Sequence, residues 1–562
     1  MHAPHDRRRT TGGALTAAAL AAALAAAGAA PAAASAAEGG FTQPRHAFDG
    51  FAGGAGATAP DGWQVTYENT DGMADGWAGW SFHTLDEVVD RWGTDLRQAF
   101  TRAHGTVAVV ESDQNRPASG TFTSGLTSPS YPVEAGTTYE LRFDSHYRQG
   151  GAGYGQTADV RVAFDTGETR TLLEYSNDAD ADNAGGTVES RREALAFTVP
   201  AGASSAQVTW SYRNSSNNWY WMVDNVELTE PMGEPAAGPV TTIDVLSDIQ
   251  GSVGNRHLRD DALPLLNGLP DPADLLVVNG DITSNGSQAQ YDAFQAAYDA
   301  AGGHVSGEML PTIGNHEFYG YDGSDVYLQR FLDQFGLGEP WQGRVVDGVP
   351  VLSIGSEGYD YAALTGSGPF VELSDEQFSW LTERLAYWRE QGRPVLLFSH
   401  DVLPRSVSGT FASFYRNDFG ADDERFQRLL LDNPNVVLFT SHTHWQLQRD
   451  DWAVEYRGTV GENTAERGVP VVNTGALTTA YTLSGDWGET GVAEETATGL
   501  RVSVYDDRVR VTSYDFLTGD TIDRVDLPVP TGGGADAPGR GHGGKPARPG
   551  PPDGSGRPGD LR

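Results

Sequence analysis

The chain has 562 residues, too many for one hydrophobic core, and 39% are apolar, so two or three packed domains are expected. A net charge of −38 argues against sequence-independent nucleic-acid binding, yet leaves a phosphate substrate open where bound cations reverse the field inside one cleft. There is no cysteine, which excludes disulfides and thiolate metal sites and leaves imidazole, carboxylate and amide groups to hold any metal.

Residues 1–36 read as a signal peptide. Arg7, Arg8 and Arg9 form a positive head, Ala14 to Ala30 is an Ala/Leu run, and Ala34-Ser35-Ala36 gives a small-residue cleavage pattern. The expected route is Sec or twin-arginine export; Thr10-Thr11-Gly12 lacks the apolar residues that usually follow the arginine pair in the latter. No other stretch is long and apolar enough to span a bilayer, so a secreted, extracytoplasmic protein is expected.

Residues 41–230 carry short alternating segments: Thr106 to Val110, Tyr139 to Phe143, Ala158 to Phe164, Gln207 to Tyr212 and Trp221 to Leu228. Alternation broken by Gly, Asn and Ser turns predicts an all-β sandwich. The closing Trp221-Met222-Val223-Asp224-Asn225-Val226-Glu227-Leu228 loosely resembles the last strand of jelly-roll modules of secreted enzymes and adhesins. The run Trp219-Tyr220-Trp221 raises the prospect of aromatics stacking on a sugar, although a Trp-rich strand more often faces a core.

A Gly/Pro/Ala linker fills 231–239, and the pattern over 240–529 becomes α/β. Ile243 to Leu246, Asp274 to Val278, Pro394 to Phe398 and Asn435 to Phe439 are continuous apolar runs, as strands buried on both faces require. Ser374 and Gln377 predict a capping box, with Phe378, Leu381, Leu385 and Trp388 along one helical face. Leu500 to Tyr505 and Arg508 to Tyr514 predict a hairpin turning at Asp506-Asp507. Residues 530–562 hold too few apolar groups to fold and read as a disordered Gly/Pro-rich tail.

Polar groups stand where the buried strands end. Asp248 and Gln250 follow the first, Gly280-Asp281 the second, His400 the third and His442-Thr443-His444 the fourth. A further element, Leu310 to Ile313, leads into Gly314-Asn315-His316-Glu317. Ligand sites of open α/β sheets lie at carboxyl ends of strands, so five such ends converge on one crevice.

This ordered set resembles the calcineurin-like metallophosphoesterase signature over roughly Val240 to Val529, most specifically in its Asn-His-Glu and His-x-His elements. The resemblance implies a four-layer sandwich with two mixed β-sheets, and two divalent ions: Mn, Fe, Zn or Mg. It implies that Asp281 bridges them, that Asp248, Gln250 and His444 complete one site, and that Asn315, His400 and His442 complete the other. A metal-bridging hydroxide would attack a phosphomonoester or phosphodiester, and His316, outside the coordination shell, would be the catalytic acid. Glu317 would orient His316 or the loop, or be a solvated surface charge.

Two departures stand out. The family's usual first motif is Asp-x-His; here it is Asp-Ile-Gln, and a neutral amide is a poorer ligand than imidazole for mid-row metals. His257 could replace Gln250, but its simpler place is in the following helix. Ser441 stands where the family usually has Gly, a small change. The competing expectation is a carbohydrate- or surface-binding protein acting through the sandwich, with a weakened, non-catalytic metal site. Specificity is expected in Phe318 to Asp325, Phe411 to Asp423 and Val460 to Val469.

Overall fold

The computed structural model describes residues 48, 59–69, 79–113, 120–149, 155–175, 190–359, 368–459 and 468–528. The expected signal segment and the tail lie outside them. Among the described residues, no helix is long and apolar enough to cross a membrane.

The N-terminal region is a pair of antiparallel sheets. One runs in the order Gln64–Asn69, Phe122–Thr127, Ser205–Ser215, Thr157–Phe164, Thr169–Tyr175, with Tyr131–Pro132 also paired to Ser205–Ser215. The other runs Ser81–Thr84, Thr106–Glu111, Tyr220–Thr229, Thr138–Arg148, Ser190–Thr198. Alternating side chains from both sheets meet in one core, where Trp210 packs edge-on against Phe143 at 5.5 Å. Tyr220–Thr229 departs from simple alternation because both its faces are covered. Trp221 and Val223 enter the sandwich core; Tyr220 and Met222 enter a second cluster beneath the helix Leu85–Trp92. The run 219–221 is therefore no sugar platform. Tyr220 and Trp221 are fully buried, and Arg148 covers the Trp219 ring at 3.5 Å.

The second region has four layers. One mixed sheet has the order Met309–Thr312, Leu275–Asn279, Thr241–Leu246, Thr498–Val504, Arg508–Asp515, Asp520–Pro528; its first three strands are parallel and the rest antiparallel. The other has the order Gln342–Val346, Val349–Ser353, Val395–Phe398, Val436–Thr440, Val469–Asn473, Ala453–Tyr456, parallel through its middle and antiparallel at both edges. The sheets share a core of Ile243, Val277, Leu396, Phe439 and Val502, among others. Each outer face carries its own helices and core, the first sheet packing on Tyr291, Phe294 and Phe331, the second on Leu381, Leu385 and Phe426. Strands apolar on both faces thus follow from being the two middle layers. The expected hairpin forms, and Asp520–Pro528 adds an edge strand that its many charges hid in the sequence.

The expected helix spans Asp375–Glu390, but its cap is half of a box. The Ser374 hydroxyl accepts from the Gln377 N–H at 3.1 Å. The Gln377 amide turns away to Gly355 and Glu357, and Glu357 takes the Ser374 N–H instead.

The two regions meet through buried polar contacts. The Thr101 hydroxyl donates to Asp451 at 2.8 Å, and Arg102 donates to the carbonyls of Asp450 and Ala453, the latter at 2.6 Å. Arg405 pairs with Asp86 across the same junction. The buried polar groups among these are costly to separate, so the sandwich is fixed to the second region rather than tethered beside it.

Candidate metal centre

The strand ends that look polar in the sequence meet at one edge of the two sheets. Asp248, Gln250, Asp281, His442 and His444 all sit at positive φ, from 29° to 61°. Each such non-glycine residue costs about 1–3 kcal/mol and persists only where its surroundings over-determine it. Here the Ile249 and Gln250 N–H groups both donate to the Asp281 carbonyl, at 2.9 and 3.2 Å, and the Asp248 N–H donates to Gly280 at 3.2 Å. The two turns therefore lock each other. The preceding glycines are required by close approach. A Cβ on Gly280 would lie 2.4 Å from His400 Nδ1, and one on Gly314 would lie 2.3 Å from Asp281 Oδ1.

The tautomers of the histidines are set by the backbone. Nδ1 of His400 donates to the Asn279 carbonyl at 2.9 Å, Nδ1 of His444 to Thr479 at 3.0 Å, and Nδ1 of His316 to Ser284 at 3.1 Å. For a neutral ring, that leaves a lone pair on each Nε2. His400 Nε2 then faces Asp281 Oδ2 at 3.3 Å and Asn315 Oδ1 at 3.1 Å. The Asn315 amide is turned this way because its Nδ2 donates to the Tyr319 hydroxyl at 2.7 Å. His444 Nε2 faces Asp248 Oδ1 at 2.9 Å, and that buried oxygen has no aligned hydrogen-bond donor. Lone pairs crowding at these distances in a buried site are stabilised by a cation between them. Asp281 with His400 and His442 forms one such donor group; Asp281 with Asp248 and His444 forms the other. The residues present fit a pair of cations sharing Asp281.

The same groups are electrostatically coupled, so that a proton on His400 and a cation compete for Asp281. Burial alone would raise the Asp281 carboxyl, but the His400 and His316 imidazoles hold it far below its ordinary range. Burial would lower His400, yet Asp281 holds it well above. His442 goes the other way. Burial, reinforced by His400, pushes it well below the ordinary value and favours the neutral, ligating form.

Gln250 lies beside Asp281, its Nε2 donating to Oδ2 at 2.6 Å. A half-turn of the amide would bring Oε1 to the same point, exchanging a donor for a ligand atom. His257 does not take its place. It ends the helix Gly251–His257, is fully buried, and binds Asp261 through Nδ1 at 2.8 Å. Gln250→His is expected to raise divalent-ion affinity by about tenfold, or about 1.4 kcal/mol, in a calorimetric titration with Mn²⁺; unchanged affinity removes Gln250 from the donor set.

His316 stands apart from the donors. Its side chain keeps 30% of its exposure against 1% for Asp281, and its Nε2 is 4.0 Å from Asp281 Oδ2. Of the eight residues singled out in the sequence, it is the one that stands outside both donor convergences while remaining partly exposed. Its ring rests on Tyr319, centroids 4.1 Å apart.

Glu317 is the loop-holding residue rather than a surface charge. Fully buried, it accepts from the N–H groups of Gly314, Thr283 and Asp281 at 2.8, 2.9 and 3.1 Å, and from the Thr283 hydroxyl at 3.1 Å. Its burial and the Asp281 charge push its carboxyl up to about 8. Glu317→Ala strands these donors and is expected to cost about 3–5 kcal/mol in urea unfolding, while Glu317→Gln, which keeps an acceptor oxygen, costs less.

Other residues here carried no signal in the sequence. Asp401 and Asp418 are buried against His442, with Asp418 Oδ2 3.8 Å from His442 Nε2. Burial pushes Asp401 up to about 7 and Asp418 well above the usual carboxylate range. Tyr319 and Asp418 lie in two of the loops expected to set specificity; residues 460–467 of the third lie outside the described residues.

Residues 241–446 match the family model of calcineurin-like phosphoesterases. No curated protein matches the chain. Among solved structures it is similar to a dimetal phosphatase from Danio rerio, at 14% identity and TM-score 0.37, covering 52% of this chain and 99% of that one. It is also similar to TmCBM61, solved with β-1,4-galactotriose, at 12% identity and TM-score 0.20, covering 30% of this chain and 90% of that one. A third is the K1 cleaved adhesin domain of Lys-gingipain from Porphyromonas gingivalis, at 18% identity and TM-score 0.20, covering 31% and 93%. The donor set falls inside the matched segment, so residues 241–446 form a calcineurin-like phosphoesterase domain with donors suited to divalent metals.

Proposed function

We propose that the protein is a metal-dependent phosphoesterase that acts outside the cytoplasm and hydrolyses phosphomonoesters or phosphodiesters at the Asp281 centre. One observation carries the reading: two convergences of buried lone pairs, at His400 Nε2 and at Asp248 Oδ1, share the same carboxylate. Asp248, Gln250 and His444 would hold one divalent ion, Asn315, His400 and His442 the other, with Asp281 between. Such ions, when bound, neutralise phosphoryl oxygens and bring the pKa of water toward neutrality. The Arg7 to Ala36 segment supports export.

The chain's own residues do the rest. Water adds to phosphorus as the bond to the leaving oxygen breaks, and the leaving alkoxide needs a proton. His316 is placed to give it. With Nδ1 held on the Ser284 carbonyl, the half-buried ring keeps Nε2 4.0 Å from Asp281 Oδ2, at the edge of the donor set, where it can serve the leaving oxygen. Tyr319 keeps the Asn315 amide oxygen turned inward. The carbonyls of Asn279 and Thr479 stop His400 and His444 from rotating away.

The direct test is turnover of p-nitrophenyl phosphate and bis-p-nitrophenyl phosphate by the purified full chain with Mn²⁺, Fe²⁺, Zn²⁺ or Mg²⁺. Chelator-sensitive release of p-nitrophenol is expected, and the preferred ester separates monoesterase from diesterase action. Silence toward both esters with every ion would overturn the reading in favour of a binding protein.

A further inference from the structure

A hairpin outside the six-stranded sheets packs on the donor turn that carries His442 and His444, contacting it from His444 to Gln446. Its strands, Tyr481–Ser484 and Gly488–Gly491, form a ladder with each other, and Tyr481 adds a single parallel bridge to Trp445. An isolated two-stranded hairpin is marginal in water and needs a surface to pack on. One side of that surface is the donor turn. The Tyr481 N–H donates to the His444 carbonyl at 2.9 Å, and the Gln446 N–H returns to the Tyr481 carbonyl at 3.2 Å. The other side is the β-sandwich. The Thr94 hydroxyl donates to Asp486 Oδ2 at 2.8 Å, and the Gln98 amide donates to the Asp486 carbonyl. Ala99 packs with Phe411 and Trp445 against Leu483 and Trp487.

Glu489 sits at the centre of this junction. Its Oε2 accepts the indole N–H of Trp445, the residue after His444, at 2.7 Å. Both its oxygens lie 3.0 Å from the hydroxyl of Tyr415, which donates to the carboxylate. The Tyr415 ring meets His442 edge-on, centroids 5.4 Å apart at 89°. One carboxylate therefore ties the ring behind His442 to the ring beside His444, by charge-assisted hydrogen bonds that hold geometry better than neutral ones.

We infer that Glu489 is a positioning residue of the metal centre, and that the β-sandwich contributes to that centre by docking the hairpin that carries it. Glu489 touches neither substrate nor reacting atoms; it acts through Trp445 and Tyr415. The inference rests on the donor turn being a cation site, but its readout is cation affinity and not turnover. A wild-type chain that binds Mn²⁺ without hydrolysing esters would therefore defeat the phosphoesterase reading and leave this one standing.

The test uses the full chain and three variants: Glu489→Ala, Glu489→Gln and Asp486→Ala. Mn²⁺ affinity is measured by competition with a metal indicator, and the thermal midpoint is measured in chelator. Outer residues that orient metal ligands typically affect affinity by about 10–100-fold. Glu489→Ala is expected to weaken Mn²⁺ binding by about that factor. Glu489→Gln, which keeps a carbonyl oxygen for the two donors, should recover most of it. Asp486→Ala, which frees Thr94 from the hairpin, should weaken binding in the same direction by less. Wild-type affinity in Glu489→Ala would overturn the inference. So would equal losses in Glu489→Ala and Glu489→Gln that merely follow a fall in the midpoint, since that marks a stability residue only.

Discussion

Asp281→Ala is expected to abolish metal-dependent turnover, reducing kcat/KM by about 10³-fold or more. The carboxylate belongs to both donor groups, so its removal weakens both cation sites at once and leaves His400 Nε2 facing only the Asn315 oxygen. A loss of about 4 kcal/mol in transition-state stabilisation corresponds to about 10³-fold. The backbone of Asp281 remains to accept from Ile249 and Gln250, so the turn should survive. Circular dichroism should be unchanged, and metal content by mass spectrometry should fall for both ions. Retention of two tightly bound ions would show that the bridging assignment is wrong.

His316→Ala should behave differently. The imidazole is outside the donor convergences, so the protein should keep its metals. Turnover should fall by about 10²–10⁴-fold for alkyl phosphate esters, whose leaving group needs a proton, and far less for p-nitrophenyl esters, whose leaving group does not. Plotting kcat/KM against leaving-group pKa gives a steeper slope for the variant than for the wild type. A uniform drop across leaving groups, or loss of metal, would transfer His316 from proton donor to ligand or loop support. Its backbone N–H complicates neither outcome, because the bond to Asp281 Oδ1 at 2.9 Å survives the substitution.

The contrast between Gln250 and Glu317 shows where sequence reading succeeds and where it stops. Gln250 is legible because it follows a strand end two residues after Asp248, and the backbone there brings it to Asp281. Glu317 follows a motif just as closely, yet its role depends on three N–H groups from residues 281, 283 and 314, which only the fold gathers. The aromatic run 219–221 is a similar case. Its composition fits either a binding face or a core, and the choice was made by a helix, Leu85–Trp92, more than a hundred residues earlier in the chain.

The sequence by itself determined the order of the donors. Continuous apolar runs must be strands buried on both faces, their polar successors must emerge at one edge, and the lack of cysteine leaves only imidazole, carboxylate and amide to gather there. The tertiary structure alone decided which nitrogen of each histidine points inward, because that depends on carbonyls of Asn279 and Thr479 supplied by other segments. It also decided that Asp401, Asp418 and Glu489 stand behind the donors and that the sandwich abuts their hairpin. The physical reason is the same for each. Hydrophobic periodicity is local and is written along the chain, whereas hydrogen bonds between side chains tens or hundreds of residues apart exist only once the layers have packed.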